Sequence, residues 1–356
     1  MKFMHFSDVH LGAKPDAGKP WSEQRAKSIW ETFAETVAEA GRRQVDFLFI
    51  SGDLFHRQPL KRELKEVNYL FSQIPWVKVV LMAGNHDHMQ PRCYYLDFEW
   101  AENVFFFGKE EVGKFDFVEE NVTVYGLSYW HRKLPKRCYD NLGELHSNRI
   151  NILLAHGGDE EHIPYSAKQV LAQGIDYIAG GHIHIAGQMV EDKAVSAGAL
   201  EPIDSTEVGP HGYWVGEIIK QDGVVRQRCH FIPIKKCEYC SETIVVTPQM
   251  TMYEVESQIK ALVEAEEPYK IYRICLEGYV DLEQQYDLEA LENLPRIAAV
   301  VSRLQPNYDY DKIAEEEGDS LLGRYITQLQ KLPQDVITKK AMEYGVNALL
   351  GHDLCR

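Results

Sequence analysis

The chain has 356 residues, 45% of them apolar and 26% charged, with a formal net charge of -16. That length suits two domains, and that apolar share can bury a full core, which excludes an intrinsically disordered chain. Seven scattered cysteines do not look like a disulfide framework, and no apolar run reaches membrane-spanning length, so the expectation is a cytoplasmic protein with no membrane segment and no signal peptide.

The first part of the chain alternates strand and helix. Residues 2–6 read as a strand that stops at the polar loop Ser7-Asp8-Val9-His10. A helix is expected from Ser22, a plausible N-cap, with Ile29, Phe33 and Val37 on one face. Residues 45–50 are apolar except for Asp46, as a strand buried on both faces requires, and they end in Ser51-Gly52-Asp53. A helix over 60–74 follows, then a strand over 77–82 that ends in Ala83-Gly84-Asn85-His86-Asp87. Further on, a strand over 150–155 runs into His156-Gly157-Gly158, and one over 176–179 runs into Gly180-Gly181-His182-Ile183-His184. Shorter strands are expected at 104–107, 115–118, 122–127, 194–197, 213–219 and 224–232.

Composition shifts near Pro233-Ile234-Lys235-Lys236. Beyond it, the pattern predicts a strand at 243–246, a helix at 252–265, a strand at 270–280, a short helix near Leu288 and a strand at 296–302. After Gln305-Pro306-Asn307 the tail reads as helical. The expected organisation is a first domain over 1–235, a smaller α/β domain over 236–305 and a helical tail over 306–356. The expected fold is α/β, a two-sheet β-sandwich flanked by helices, with the smaller domain appended. No repeat and no Walker-type phosphate loop is present, so no ATPase is visible in this chain.

Five largely apolar strands thus each deliver Asp, Asn or His at a carboxyl end, usually beside glycine. In layered α/β folds, ligands bind outside the carboxyl ends of the strands, so these residues should converge. The set is Asp8, His10, Asp53, Asn85, His156, His182 and His184. Alone, an Asp-x-His means little, a His-x-His is more often ordinary than metal-binding, and Gly-Asn-His-Asp could be a tight turn. Together, such dense polar groups at buried strand ends would be costly without a partner. Nitrogen and oxygen donors without thiolates suit manganese, iron or zinc. Seven ligands exceed one tetrahedral ion but suit two ions sharing a carboxylate. Two divalent ions against two carboxylates leave the site cationic, ready for a phosphodiester oxygen and for a hydroxide held between the ions.

These residues resemble the five sequence blocks of calcineurin-like metallophosphoesterases: Asp8-Val9-His10, Gly52-Asp53, Gly84-Asn85-His86-Asp87, His156 and Gly181-His182-Ile183-His184. The extensions Leu11-Gly12 and Leu54-Phe55-His56 are similar to the SbcD type, nuclease subunits of DNA double-strand-break repair complexes. The resemblance implies two divalent ions, manganese foremost with iron, zinc or magnesium as alternatives. One ion would take Asp8, His10 and His184, the other Asn85, His156 and His182, with Asp53 bridging. It assigns His86 a catalytic contact to the phosphate and His56 a contact to substrate. It implies DNA as substrate, an SbcC-type coiled-coil ATPase as partner, a homodimer, a capping, DNA-binding role for 236–305 and ATPase docking by the tail. Two places depart from the pattern: Met89 stands where proline is usual, and Ser196-Ala197-Gly198-Ala199-Leu200 replaces a proline-glycine turn.

The net charge of -16 works against DNA, since nucleic-acid binding usually draws on Lys and Arg. Bound cations can override the global charge within a site. Two rival functions follow: a phosphodiesterase for nucleotides or other small phosphodiesters, and an architectural subunit with structural metals. Among weaker signals, Cys237-Glu238-Tyr239-Cys240 is a single CxxC, read as structural, and His162 and His230 are read as surface or packing residues. Leu64, Val67, Leu70 and Phe71, with Tyr94, Tyr95, Phe98 and Trp100, read as core, and Leu321, Leu322, Tyr325, Ile326 and Leu329 as one amphipathic face.

Overall fold

A computed structural model describes residues 1–351. In chain order the elements are β1 (Lys2–Phe6), α1 (Ser22–Arg42), β2 (Phe47–Ser51), α2 (Lys61–Ser72), β3 (Lys78–Met82), β4 (Val104–Phe107), β5 (Gly113–Phe117), β6 (Val122–Gly126), β7 (Ile150–His156), α3 (Ala167–Ala172) and β8 (Tyr177–Gly181). Then come β9 (Gly187–Val190), β10 (Ala194–Ser196), β11 (His211–Gln221), β12 (Val224–Ile234), β13 (Glu238–Val246), α4 (Met252–Ala265), β14 (Lys270–Val280), α5 (Leu288–Glu292) and β15 (Ile297–Pro306). Three helices follow: α6 (Tyr310–Glu317), α7 (Leu321–Gln330) and α8 (Val336–Leu350).

The chain divides into two compact units, the first comprising Met1–Cys240 and Pro268–Ile271. The first unit is the expected two-sheet sandwich. One six-stranded sheet has the order β12-β11-β1-β2-β3-β4, the other β5-β6-β7-β8-β10-β9. In the first sheet β1 to β4 run parallel, and in the second β6, β7, β8 and β10 do. Parallel strands point their carboxyl ends the same way, so the loops after β1, β2 and β3 gather at one edge. Those after β7 and β8 gather likewise.

The central strands are apolar on both faces because both faces are covered. Phe47 and Phe49 of β2 join Phe3, Val80, Val122, Ile152 and Leu154 in the core between the sheets. Their neighbours Leu48 and Ile50 face the other way, into a cluster with Ile29, Phe33, Leu64, Val67 and Phe71 of α1 and α2. Each fully buried side chain of this size contributes roughly 1.5–3 kcal/mol. A third cluster, with Tyr129, Tyr139, Leu153 and Ile178, covers the outer face of the second sheet. Tyr95 is buried and Phe98 and Trp100 pack against the α1/α2 cluster, whereas Tyr94 is exposed.

The structure adds two elements that the sequence pattern did not show. α3 has six residues and only Val170 buried, too little to set up a helical stripe. β9 is a four-residue edge strand without a fully buried position. Trp21, not Ser22, occupies the N-cap of α1; the Ser22 hydroxyl instead donates to the Pro15 carbonyl at 2.7 Å.

The second unit comprises Ser241–Glu267 and the chain from Tyr272 onward. A three-stranded sheet in the order β13-β14-β15 carries α4, which buries Val255, Ile259 and Val263 at four-residue spacing. Thr251 caps α4, and Glu254 reaches back to the Thr251 N–H at 2.8 Å, a reciprocal capping box. In the tail, Leu322 and Ile326 are buried against Tyr308, Met342 and Val346, with Tyr325 and Leu329 packed on them. Of the five positions on that amphipathic face, only Leu321 stands exposed. The face closes the helical cluster. Among the described residues, no helix is long and apolar enough to cross a membrane.

Candidate metal centre

The seven strand-end residues meet at one place. The first sheet brings Asp8, His10, Asp53 and Asn85, and the second brings His156, His182 and His184. His10 Nε2 lies 3.1 Å from His184 Nε2, and Asn85 Oδ1 lies 2.8 Å from His156 Nε2 and 3.1 Å from His182 Nδ1. Asp53 Oδ2 stands between the two groups, 3.8 Å from His10 Nε2 and 3.5 Å from His156 Nε2. Asp8 Oδ1 is 3.9 Å from His184 Nε2. The floor of the site is buried: Asp8, His10, Asp53, Asn85 and His156 are all below one-tenth exposed.

The backbone explains how polar groups come to crowd there. Asp8, His10, Asp53 and His182 have φ values of 49°, 51°, 48° and 84°, in the left-handed region that non-glycine residues seldom occupy. Such conformations cost on the order of 1–3 kcal/mol each and persist where the surroundings over-determine them. Here the Asp8 N–H donates to the Gly52 carbonyl at 3.2 Å, and the His10 N–H to the Asp53 carbonyl at 3.1 Å. The His86 N–H donates to Asp53 Oδ1 at 2.8 Å, and the His182 N–H to Asp8 Oδ2 at 2.9 Å. Glycine is required beside the site for space. A Cβ on Gly52 would sit 2.5 Å from His156 Nδ1, and one on Gly84 would overlap the Asp53 carboxylate.

Electrostatics point the same way. Burial alone would raise the Asp53 carboxyl, but His156 and His10 beside it hold it far below the usual range. Burial works against the charged form of His156, yet Asp53 and Asp8 outweigh it and hold the imidazole up at about 9. His184 stands at about 9 for a similar reason: burial opposes, and Glu207 and Asp8 prevail. Burial lowers His10 well below its ordinary value, and burial with the nearby His156 brings His182 to about 4. Two buried carboxylates demand positive charge, which protons or metal ions can supply.

The donor set fits divalent cations. Asp8, His10 and His184 place ligand atoms within 4.8 Å of one another, and so do Asp8, Asp53 and His156. Nitrogen and oxygen donors, no thiolate and two carboxylates match borderline first-row metals. Cys237 and Cys240 take no part: Cys237 is buried, its thiol is pushed up to about 12 by burial, and neither belongs to a metal-capable group among the described residues.

At the rim, His56 is exposed and His86 partly so. Their rings are stacked with centroids 5.3 Å apart, and His86 lies edge-on to His10 at 4.8 Å. The fold also recruits residues to which the sequence reading gave no part. Asp87, raised to about 7 by burial and then by the charge of Asp53, accepts from the Gly84 N–H at 2.8 Å, the Tyr95 hydroxyl at 2.9 Å and the Phe55 N–H at 3.2 Å. It ties the β2 and β3 loops together. Asp159 and Glu207 contact His182 and His184, at 2.7 Å and 2.6 Å. His162, read from sequence as a surface or packing residue, packs its ring on His182 and lies with Asp159 and His182 in one cluster. Asp159 follows His156 by three residues, which is a weak signal; Glu207 lies in a loop that no motif marks.

The profile of the calcineurin-like phosphoesterases matches residues 1–186, all of the strand-end loops described above. The chain belongs to the calcineurin-like phosphoesterase family. Among curated relatives of this phosphoesterase, YhaO of Bacillus subtilis, an uncharacterized metallophosphoesterase, is 27% identical over 243 residues, covering 62% of this chain and 58% of YhaO. The DNA double-strand break repair protein Mre11 of Methanococcus maripaludis is 28% identical over 207 residues, 52% of each chain. Mre11 of Sulfurisphaera tokodaii is 27% identical over 198 residues, covering 51% of this chain and 49% of that protein. The phosphoesterase thus spans about half to three-fifths of the length of these relatives.

Both departures from the expected sequence pattern have structural roles in this phosphoesterase. The Met89 N–H donates to the Tyr129 carbonyl at 2.7 Å, pinning the loop that bears Asn85 and His86. The Ala199 N–H donates to the His184 carbonyl at 2.9 Å, so the 196–200 turn props the His182-Ile183-His184 loop.

Proposed function

We propose that this phosphoesterase is a two-metal DNA nuclease, the SbcD-like subunit of a double-strand-break repair complex. The observation that carries the reading is the meeting of seven N- and O-donor residues from two sheets, among them Asp53, which has an imidazole on either side. Asp8, His10 and His184 would hold one ion and Asn85, His156 and His182 the other, with Asp53 shared, and manganese suits this donor set. Bound divalent ions supply charge neutralisation for the phosphodiester and activation of water. The chain's own part is to position: Asp53 and Asp8 anchor the floor, and the strained loops hold it open. His86, partly exposed above His10, stands where an imidazole can contact the phosphate and hand a proton to the leaving oxygen. His56, stacked on it, lines the substrate's path.

The names of the Mre11 relatives favour DNA as the substrate. In the same reading, residues 236–305 contact DNA, and the tail meets a coiled-coil ATPase of the SbcC type. A second copy would dock on the first through the α1/α2 surface, where Lys27, Trp30, Lys65 and Tyr69 line an open groove of about 690 Å³. Light scattering should then give a dimer mass; a monomer would remove that element.

The net charge of -16 favours a second reading, hydrolysis of nucleotides or other small phosphodiesters. One assay separates the two: purified protein with manganese, given labelled single- and double-stranded DNA beside a nitrophenyl phosphodiester. DNA cleavage is expected. Hydrolysis of the small ester alone would shift the assignment to the second reading, and inactivity on all three substrates would leave the architectural role.

A further inference from the structure

Both imidazoles of the His182-Ile183-His184 loop lean on a carboxylate outside the strand-end motifs. His182 Nε2 lies 2.7 Å from Asp159 Oδ2, and His184 Nδ1 lies 2.6 Å from Glu207 Oε1. An ionised carboxylate only accepts, so each contact draws a ring proton onto that nitrogen. In the neutral ring, the form that binds a metal, the opposite nitrogen then carries a lone pair directed into the site. For His182 that atom is Nδ1, 3.1 Å from Asn85 Oδ1, and for His184 it is Nε2, 3.1 Å from His10 Nε2. Two histidines separated by one residue therefore present different ring nitrogens to different sides of the centre.

The two carboxylates are themselves fixed. Asp159 Oδ1 accepts the N–H groups of Glu161 and His162, each at 2.8 Å, and His162 Nδ1 lies 2.9 Å away. The His162 ring packs against His182 with centroids 4.4 Å apart. Glu207 Oε2 accepts the Ile203 N–H at 2.9 Å, and the Glu207 side chain is mostly buried. Neither carboxylate needs a metal to set its direction.

We infer that Asp159 and Glu207 are positioning residues, each fixing the tautomer and ring orientation of one histidine so that adjacent imidazoles serve two separate ions. The inference rests on the two-ion reading of the site. Carboxylate–histidine–metal chains of this kind are a general way to orient a metal-bound imidazole and raise its basicity. They would explain why Asp159 and Glu207 contact these rings on the nitrogen opposite the one that faces the site.

The test uses the full chain. Calorimetric titration with Mn2+ should show two ions on the wild type. Asp159→Ala should weaken one of them about 10- to 100-fold and Glu207→Ala the other, the usual cost of losing an outer partner. Asp159→Asn and Glu207→Gln keep an accepting oxygen and should fall between. A second measurement needs no substitution: 15N-histidine NMR of Zn2+-loaded wild type should show His182 with its proton on Nε2 and His184 with its proton on Nδ1. Wild-type affinity for both ions in both alanine variants would overturn the inference, as would metal on His182 Nε2. So would a third ion on the wild type that His162→Ala removes, since Asp159 would then be a ligand itself. A wild type that takes up no divalent ion would fail the reading of the site, a separate result from failure of the outer carboxylates.

Discussion

The two sheets of the sandwich bring different chemistry to the same edge. The loops after β1, β2 and β3 supply both carboxylates, the amide and one imidazole, while those after β7 and β8 supply imidazoles only. The supports differ as well. On the first sheet the loops hold one another through backbone bonds, with Asp8, His10 and Asp53 all in left-handed conformation. On the second sheet the rings of His182 and His184 are braced from behind by acidic side chains. Three of the four left-handed residues and both inward-facing carboxylates thus lie on one half, and the imidazoles held by outer carboxylates lie on the other. The centre exists only once the core between the sheets has formed, because neither half holds a full donor set.

The largest effect should come from the first sheet. Asp53→Asn removes the carboxylate that stands between the two imidazole groups, and both ions should be lost. Activity should fall by about four orders of magnitude or more, on the order of 5 kcal/mol of transition-state stabilisation. Metal analysis beside the nuclease assay checks this, and an active variant with full metal content would refute the shared carboxylate. His86→Ala acts at the rim: both ions should remain, while the rate constant drops about 10²- to 10⁴-fold, as for loss of a general acid. Metal loss in that variant would move His86 into the ligand set.

Gly84→Ala tests the crowding of the first half. Its new methyl group would overlap the Asp53 carboxylate, so stability should fall by roughly 1–3 kcal/mol, read by thermal or denaturant unfolding. An unchanged transition would show that the β3 loop yields more readily than the close approach suggests. The smallest effect belongs to His56→Ala, which should raise KM by less than about tenfold with kcat nearly constant, the signature of lost ground-state contact. A fall in kcat equal to that of His86→Ala would assign the stacked pair a joint role.

Much of this was legible before folding. Strands such as β2, β3 and β7 matched the apolar pattern, because a strand buried on both faces must be apolar along nearly all of its length. The seven strand-end residues were legible because metal chemistry restricts the donor types and the fold class places strand ends together. The short α3 and the edge strand β9 were not, since few of their residues are buried and no period develops. The contacts of His162 were not legible for a related reason: its neighbours Asp159 and His182 converge only after the loop folds back.

By itself, the sequence determined the alternation of strand and helix, the chemical identity of the donors and the glycines that leave them room. These are local properties, written in residue type and spacing. The tertiary structure alone decided which ring nitrogen faces inward, which acidic residues stand behind the histidines and how four left-handed residues are held in place. Those depend on contacts such as Glu207 with His184 and Asp87 with Tyr95 and Phe55, made by irregular loops that carry no periodic signal.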